Sequence, residues 1–186
     1  MDRLLMGGLW NWRRLNMEVQ SMKAHFEMLA AYNAWANRRL YAAAQTLSDE
    51  EYRADLGAFF KSVDGTLNHL MVGDLLWLAR FRGQTPPRVS LERKLHDDRA
   101  ELAAARKVLD DDIIRFVDET PVEAFASEIT YTALTLAGEQ RQRLDEAVSH
   151  FFNHQTHHRG QVHALLTRLT GTGPVLDLLY YQRETG

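Results

Sequence analysis

Five of the chain's eight histidines, His150, His154, His157, His158 and His163, fall within fourteen residues. On a helix, residues three or four apart share a face, so this run can aim imidazoles in pairs at one metal ion. Imidazole is the commonest protein ligand for zinc and related divalent ions. At about 100° per residue, Leu144, Phe151, Val162, Leu165 and Leu169 define one narrow apolar sector. His158 falls in or beside that sector and His154 about 40° further round, whereas His150 is displaced more and His157 points away. His154 and His158 are therefore the pair placed to reach an interior together, where each needs a polar partner.

A third ligand must come from another helix. His69 lies beside an apolar stripe one turn before Gly73, which removes bulk next to it; His25 is in phase with Leu29 and Tyr32. Spacing puts His69 only slightly ahead of His25, and His96 suits the role least. A polar helix face with a few core histidines is the competing account of the whole cluster. Ligating imidazoles usually pass their second N–H to a carboxylate, carbonyl or amide, and Asp74 and Asn33 are the candidates for that. Interhelical hydrogen bonding would explain both residues as well. Gln161, one turn after His158, is a candidate for contact with substrate or ligand. Arg159 reads as a solvated or ion-paired surface residue, His150 and His157 as surface residues or neighbours of the ligands, and Trp35 and Trp77 as core.

Long amphipathic helices have to position these groups. A helical period runs through 22–47, and Ser48-Asp49-Glu50-Glu51 is a break with capping residues that could open a short helical turn. A second helix is predicted over 62–82, ended by Gly83 and Pro86-Pro87. With Ser90 as N-cap, a third is predicted to run to 118 through Leu95, Leu102, Leu109, Ile113 and Phe116. The Thr-rich stretch 126–140, with Ile129, Tyr131, Leu134 and Leu136, reads as one or two short strands or a small hairpin. The fourth helix spans 141–169, and an apolar tail at 175–181 packs back on the body. Four such helices with one long connection make an all-α, four-helix bundle with a short β-hairpin or extended segment between helices three and four.

With 186 residues, 45% hydrophobic and 25% charged, the chain is most simply one globular domain. A net charge of −3 offers no basic footprint for nucleic acid, and no apolar run is long enough for a transmembrane helix. With no cysteine, the chain has neither thiolate ligands nor a cysteine nucleophile of its own, and a cytoplasmic location is the default. Residues 1–21 lack the apolar run and cleavage site of a signal peptide. They read as a dispensable extension ahead of a domain at 22–186, with a short helix carrying Trp10 and Trp12 into a groove or partner as the alternative.

Three stretches resemble the DinB-like family, which includes the YfiT-like thiol transferases: Tyr32-Asn33-Ala-Trp35-Ala-Asn37, Asn68-His69-Leu-Met-Val-Gly-Asp74-Leu-Leu-Trp77, and Asn153-His154-Gln-Thr-His-His158-Arg159-Gly160-Gln161. Asp177-Leu-Leu-Tyr-Tyr matches the family's closing segment, so the resemblance extends over 22–182. It implies a divalent metal held by one His of the second helix and an H-x-x-x-H pair of the fourth, which are His69, His154 and His158 here. It also implies an up-down-down-up helix order and a homodimer.

Three neutral imidazoles leave a coordination position for water or substrate. By resemblance, the expected activity is a metal-dependent thiol S-transferase, in which a low-molecular-weight thiol attacks a small electrophilic substrate, in detoxification or stress response. Hydrolysis by a metal-bound hydroxide, or a non-catalytic stress-associated metal protein acting through a dimer surface, uses the same ligands. Zinc or nickel comes first as the ion, with iron or manganese open.

Overall fold

The computed structural model describes the backbone of residues 3–133 and 138–186 and the side chains of 21–133 and 138–186. Helices dominate: α1 (Arg3–Gln45), α2 (Asp49–Arg53), α3 (Val63–Phe81), α4 (Arg99–Glu119), α5 (Leu144–Thr170) and α6 (Leu178–Thr185), with a 3-10 turn at Val122–Ala126. Two short strands, β1 (Glu128–Thr132) and β2 (Glu139–Arg143), pair antiparallel before α5. No helix among the described residues is long and apolar enough to cross a membrane.

Each boundary has a local cause. Ser48 caps α2 in a reciprocal box: its Oγ accepts from the Glu51 N–H at 3.2 Å, and the Glu51 carboxylate accepts from the Ser48 N–H at 2.8 Å. Ser62 Oγ accepts from the Gly65 N–H at 3.0 Å and opens α3. Gly171, at φ 78, closes α5 in the left-handed conformation that suits glycine.

Several expectations change. α1 begins at Arg3, ahead of Met22, where the helical period sets in. Ser90 does not start the third helix; Asp98 does, its Oδ1 accepting from the N–H groups of Ala100 (2.8 Å) and Glu101 (2.9 Å). The preceding backbone is instead satisfied by α3. Asn68 Oδ1 accepts from the N–H groups of Leu95 (2.8 Å) and His96 (3.1 Å), and Lys94 pairs with Asp64 at 2.7 Å. Donors taken up in this way are not free to begin a helix at Ser90. Likewise, Arg141, Gln142 and Arg143 belong to β2 and not to the fourth helix, in register with Thr130, Ile129 and Glu128. Ile129, Tyr131, Gln140 and Gln142 form the less exposed side of this hairpin, which is the strand period of two. Leu134 and Leu136 lie outside the described residues.

The four long helices close on one another: α1 packs against α4 and α5, and α3 packs against the same two. Leu67, Leu70, Leu102, Ile113, Phe151 and Leu166 fill the space between them. The tail folds back as expected and becomes α6. Tyr32 Oη donates to the Leu176 carbonyl at 2.7 Å, and Trp35 Nε1 donates to Glu184 at 2.8 Å.

A buried ionic lattice crosses the same core. Arg106 lies 2.6 Å from Asp74 and 2.9 Å from Asp110. Asn33 and Asn37 each donate to Asp110, Gln155 donates to Asp74, and Arg159 donates to Asn33. Two aspartates and two arginines make it neutral, and its members come from all four long helices. Burial pushes the Asp74 carboxyl up to about 6 against the pull of Arg106. Arg106 is opposed by burial, but Asp110 and Asp74 hold its pKa above the ordinary value. Arg159 is a core residue, 2% exposed, not a surface one. It lies four residues past Gln155 and three before Val162, within the broad face that α5 buries against both α1 and α3.

Candidate metal centre

α3 and α5 bring His69, His154 and His158 together. One donor atom from each lies within 4.8 Å of the others, an arrangement compatible with a divalent ion. The ring centroids are 4.4 Å apart for His154 and His158, 4.5 Å for His69 and His158, and 5.4 Å for His69 and His154. His69 and His158 are only 4% and 8% exposed. Glycine makes the approach possible. A Cβ at Gly73 would stand 3.2 Å from His154 Cε1, tighter than ordinary contact.

Hydrogen bonding fixes which nitrogen faces inward. His69 Nδ1 lies 3.0 Å from the Leu91 carbonyl, and His158 Nδ1 lies 2.8 Å from Gln161 Oε1. Both partners are oxygens that can only accept, so each Nδ1 carries the proton and each Nε2 keeps its lone pair. Gln161 Nε2 lies 3.1 Å from His157 Nε2, which orients the amide. His154 Nδ1 is buried with no partner among the described residues, so that nitrogen is not committed. Burial lowers the pKa of all three: His154 to about 3, with its neighbouring imidazoles adding to the effect; His158 to about 4, against the Gln161 bond; and His69 against the Leu91 bond. Three neutral imidazoles at neutral pH are the form in which histidine binds a metal, so this donor set fits the ion that the sequence suggests.

Phe60 covers the cluster. Its ring stacks on His69 at 3.7 Å between centroids and meets His158 edge-on at 5.6 Å. The loop that carries it turns at Lys61, φ 68, and lies so close to α3 that a Cβ at Gly65 would collide with the Phe60 carbonyl. On the other side a cavity of about 360 Å³ opens from His69 and His154 toward Trp77, Arg80 and Tyr131.

The remaining candidates lie elsewhere. His25 is exposed on α1, and His96 is half-buried in the connection before α4, 3.7 Å from Glu101. His157 is exposed beside Gln161, and exposed His150 sits at the cavity wall, 5.1 Å from the Trp77 ring. Asn33 and Asp74 are hydrogen-bonded into the ionic lattice, not to an imidazole. Trp35 is buried, whereas Trp77 is half-buried and walls the cavity. Phe60, the Leu91 carbonyl and Arg80 were not expected from the sequence. Phe60 and Leu91 lie in connections without a period, but Arg80 continues the face of α3 that carries Gly73 and Trp77 and was open to detection.

The described residues define a mostly helical protein with three imidazoles converging beside an aromatic cavity. By sequence the chain belongs to the DinB family, whose model matches residues 20–185. It is similar to Protein DinB of Bacillus subtilis (strain 168), with 26% identity over 144 residues that cover 74% of this chain and 82% of that protein.

Proposed function

We propose that this chain is a divalent-metal protein with His69, His154 and His158 as ligands, and that it acts as a metal-dependent thiol S-transferase on a small electrophile. The observation that carries the reading is the tautomer pattern: Leu91 and Gln161 hold the Nδ1 protons of His69 and His158, leaving both Nε2 lone pairs in the cluster. Gln161 is accordingly a residue that orients a ligand. A divalent ion held by three imidazoles keeps a position for a thiol and lowers its pKa, which supplies a thiolate near neutral pH. The chain contributes no cysteine, so the thiol is a separate low-molecular-weight molecule. Phe60 shields one side of the cluster, and the cavity beside His154 gives a small substrate access from the other.

Zinc and nickel are the first ions to test. We read the four long helices as a four-helix bundle, which the pairing of α1 and α3 with the same two neighbours supports, and take the up-down-down-up order from the family resemblance. The functional domain in this reading is 22–186, with 1–21 as an extension; the family resemblance adds a homodimer, and the cytoplasm is the default location.

The test is elemental analysis of untagged protein, native and His69→Ala, followed by thiol transfer to a chromogenic electrophile. About one metal per chain, lost in the variant, is expected for a three-ligand site. Protein that takes up neither zinc nor nickel refutes the metal reading. Metal-loaded protein that transfers none of a panel of small thiols refutes the transferase and leaves the metal site standing.

A further inference from the structure

The cavity beside the histidines contains a cation that has no counter-ion among the described residues. Arg80 is 8% exposed, and its guanidinium carbon lies 4.7 Å from the Trp77 ring centroid and 5.0 Å from that of Tyr131. Its hydrogen bonding is limited to the Thr132 carbonyl at 3.4 Å, its Nε is buried without a partner, and no carboxylate pairs with it among the described residues. Arg106, the comparable buried cation, is held by two aspartates. Stacking on aromatic rings offsets part of the cost of burying charge, but it uses the faces of the guanidinium. What remains is the edge, a planar fork of N–H donors whose geometry matches a carboxylate.

Where the fork sits gives it a use. Gly73, against His154, and Arg80 share a face of α3, and the seven-residue step from one to the other rises about 10 Å. Leu76, Trp77, Leu91 and Tyr131 line the space between, so it suits an apolar body. We propose that the cavity takes a small molecule with an apolar middle and a terminal carboxylate, which pairs with Arg80 while the other end reaches the histidine cluster. This rests on the metal and thiol reading above. A single guanidinium at that end of the cavity balances one negative charge, which selects a carboxylate over a phosphate dianion.

The test uses the full chain loaded with cobalt(II), whose visible spectrum reports a thiol entering the metal's surroundings. ω-Sulfanylhexanoate and ω-sulfanylhexanol differ only in the terminal group, and their length suits the rise along α3. The acid is expected to bind about tenfold tighter than the alcohol, as for a charge-assisted pair. This preference should vanish in Arg80→Gln and persist in part in Arg80→Lys. It should also exceed that of the three-carbon acid and alcohol, because general attraction of an anion to the metal acts on both pairs. Equal affinity of the six-carbon pair in the native chain overturns the inference, as does a preference that survives Arg80→Gln or is no greater than that of the three-carbon pair. If Arg80→Gln does not fold, the native comparisons and Arg80→Lys decide. No spectral change with any thiol refutes the thiol reading itself, and this inference with it.

Discussion

Replacing Gly73 with Ala should weaken metal binding without destabilising the metal-free fold. In the middle of a helix, Gly costs about 0.5–1 kcal/mol relative to Ala, so the added methyl favours the metal-free fold. That methyl would stand 3.2 Å from His154 Cε1 and 3.7 Å from its Nδ1. The ring must yield by a few tenths of an ångström, and Cε1 lies between the two nitrogens, so neither can stay in place. Disturbing a ligand's support typically costs about 10- to 100-fold in metal affinity, or roughly 1.4–2.8 kcal/mol. The methyl's gain is expected to match or outweigh the contact strain in the metal-free protein, where His154 is free to turn, but not in the loaded one. Thermal unfolding in excess chelator should show a melting temperature unchanged or raised by up to about 2–4 °C. Zinc competition against a chromogenic chelator should show at least about tenfold weaker binding. A variant that binds zinc as tightly as the native chain but unfolds well below it would refute the reasoning. Gly73 would then serve packing, and His154 would not be a ligand.

His154→Ala should abolish stoichiometric metal while His157→Ala retains it; equal loss by elemental analysis would sink the ligand assignment. Gln161→Leu, which removes the acceptor from His158 Nδ1, should weaken zinc about tenfold or more in the same competition assay, and an unchanged affinity would remove Gln161 from the site. Arg106→Leu leaves Asp74 and Asp110 buried without their cation and should cost about 3–5 kcal/mol in urea unfolding; a loss under about 1 kcal/mol would mean that the carboxyls are neutral in the native chain. Deleting residues 1–19 should leave metal content and melting temperature unchanged, and a marked loss of either would show that the segment belongs to the domain.

Periodicity made the helices legible, and its limits mark where the sequence misled. Leu102, Leu109 and Ile113 announce α4, but its start depended on Asn68, whose Oδ1 accepts from the backbone N–H groups of Leu95 and His96, 27 and 28 residues on. A partner on another helix cannot be read from the local pattern around Ser90. The β2 segment Glu139–Arg143 has little intrinsic strand character and is held extended by its register with β1. Arg159 was misplaced because the buried sector of α5 was centred on apolar residues alone. α5 faces two helices, so its buried sector is wide enough to include a guanidinium that Asn33 of α1 accepts from.

The sequence by itself determined that the chain is helical, that His154 and His158 share a face, and, through its family, that the chain is of the DinB kind. These follow from spacing along one helix, where geometry is fixed by the backbone period. Tertiary structure decided how that face is met: it seats His69, which the resemblance already implied, and adds the Leu91 carbonyl on His69, the Phe60 ring over the cluster and the Arg80 fork at the far end of the cavity. Those groups come from segments whose relative rotation and approach are set by packing and by small residues such as Gly73, and no local period encodes that.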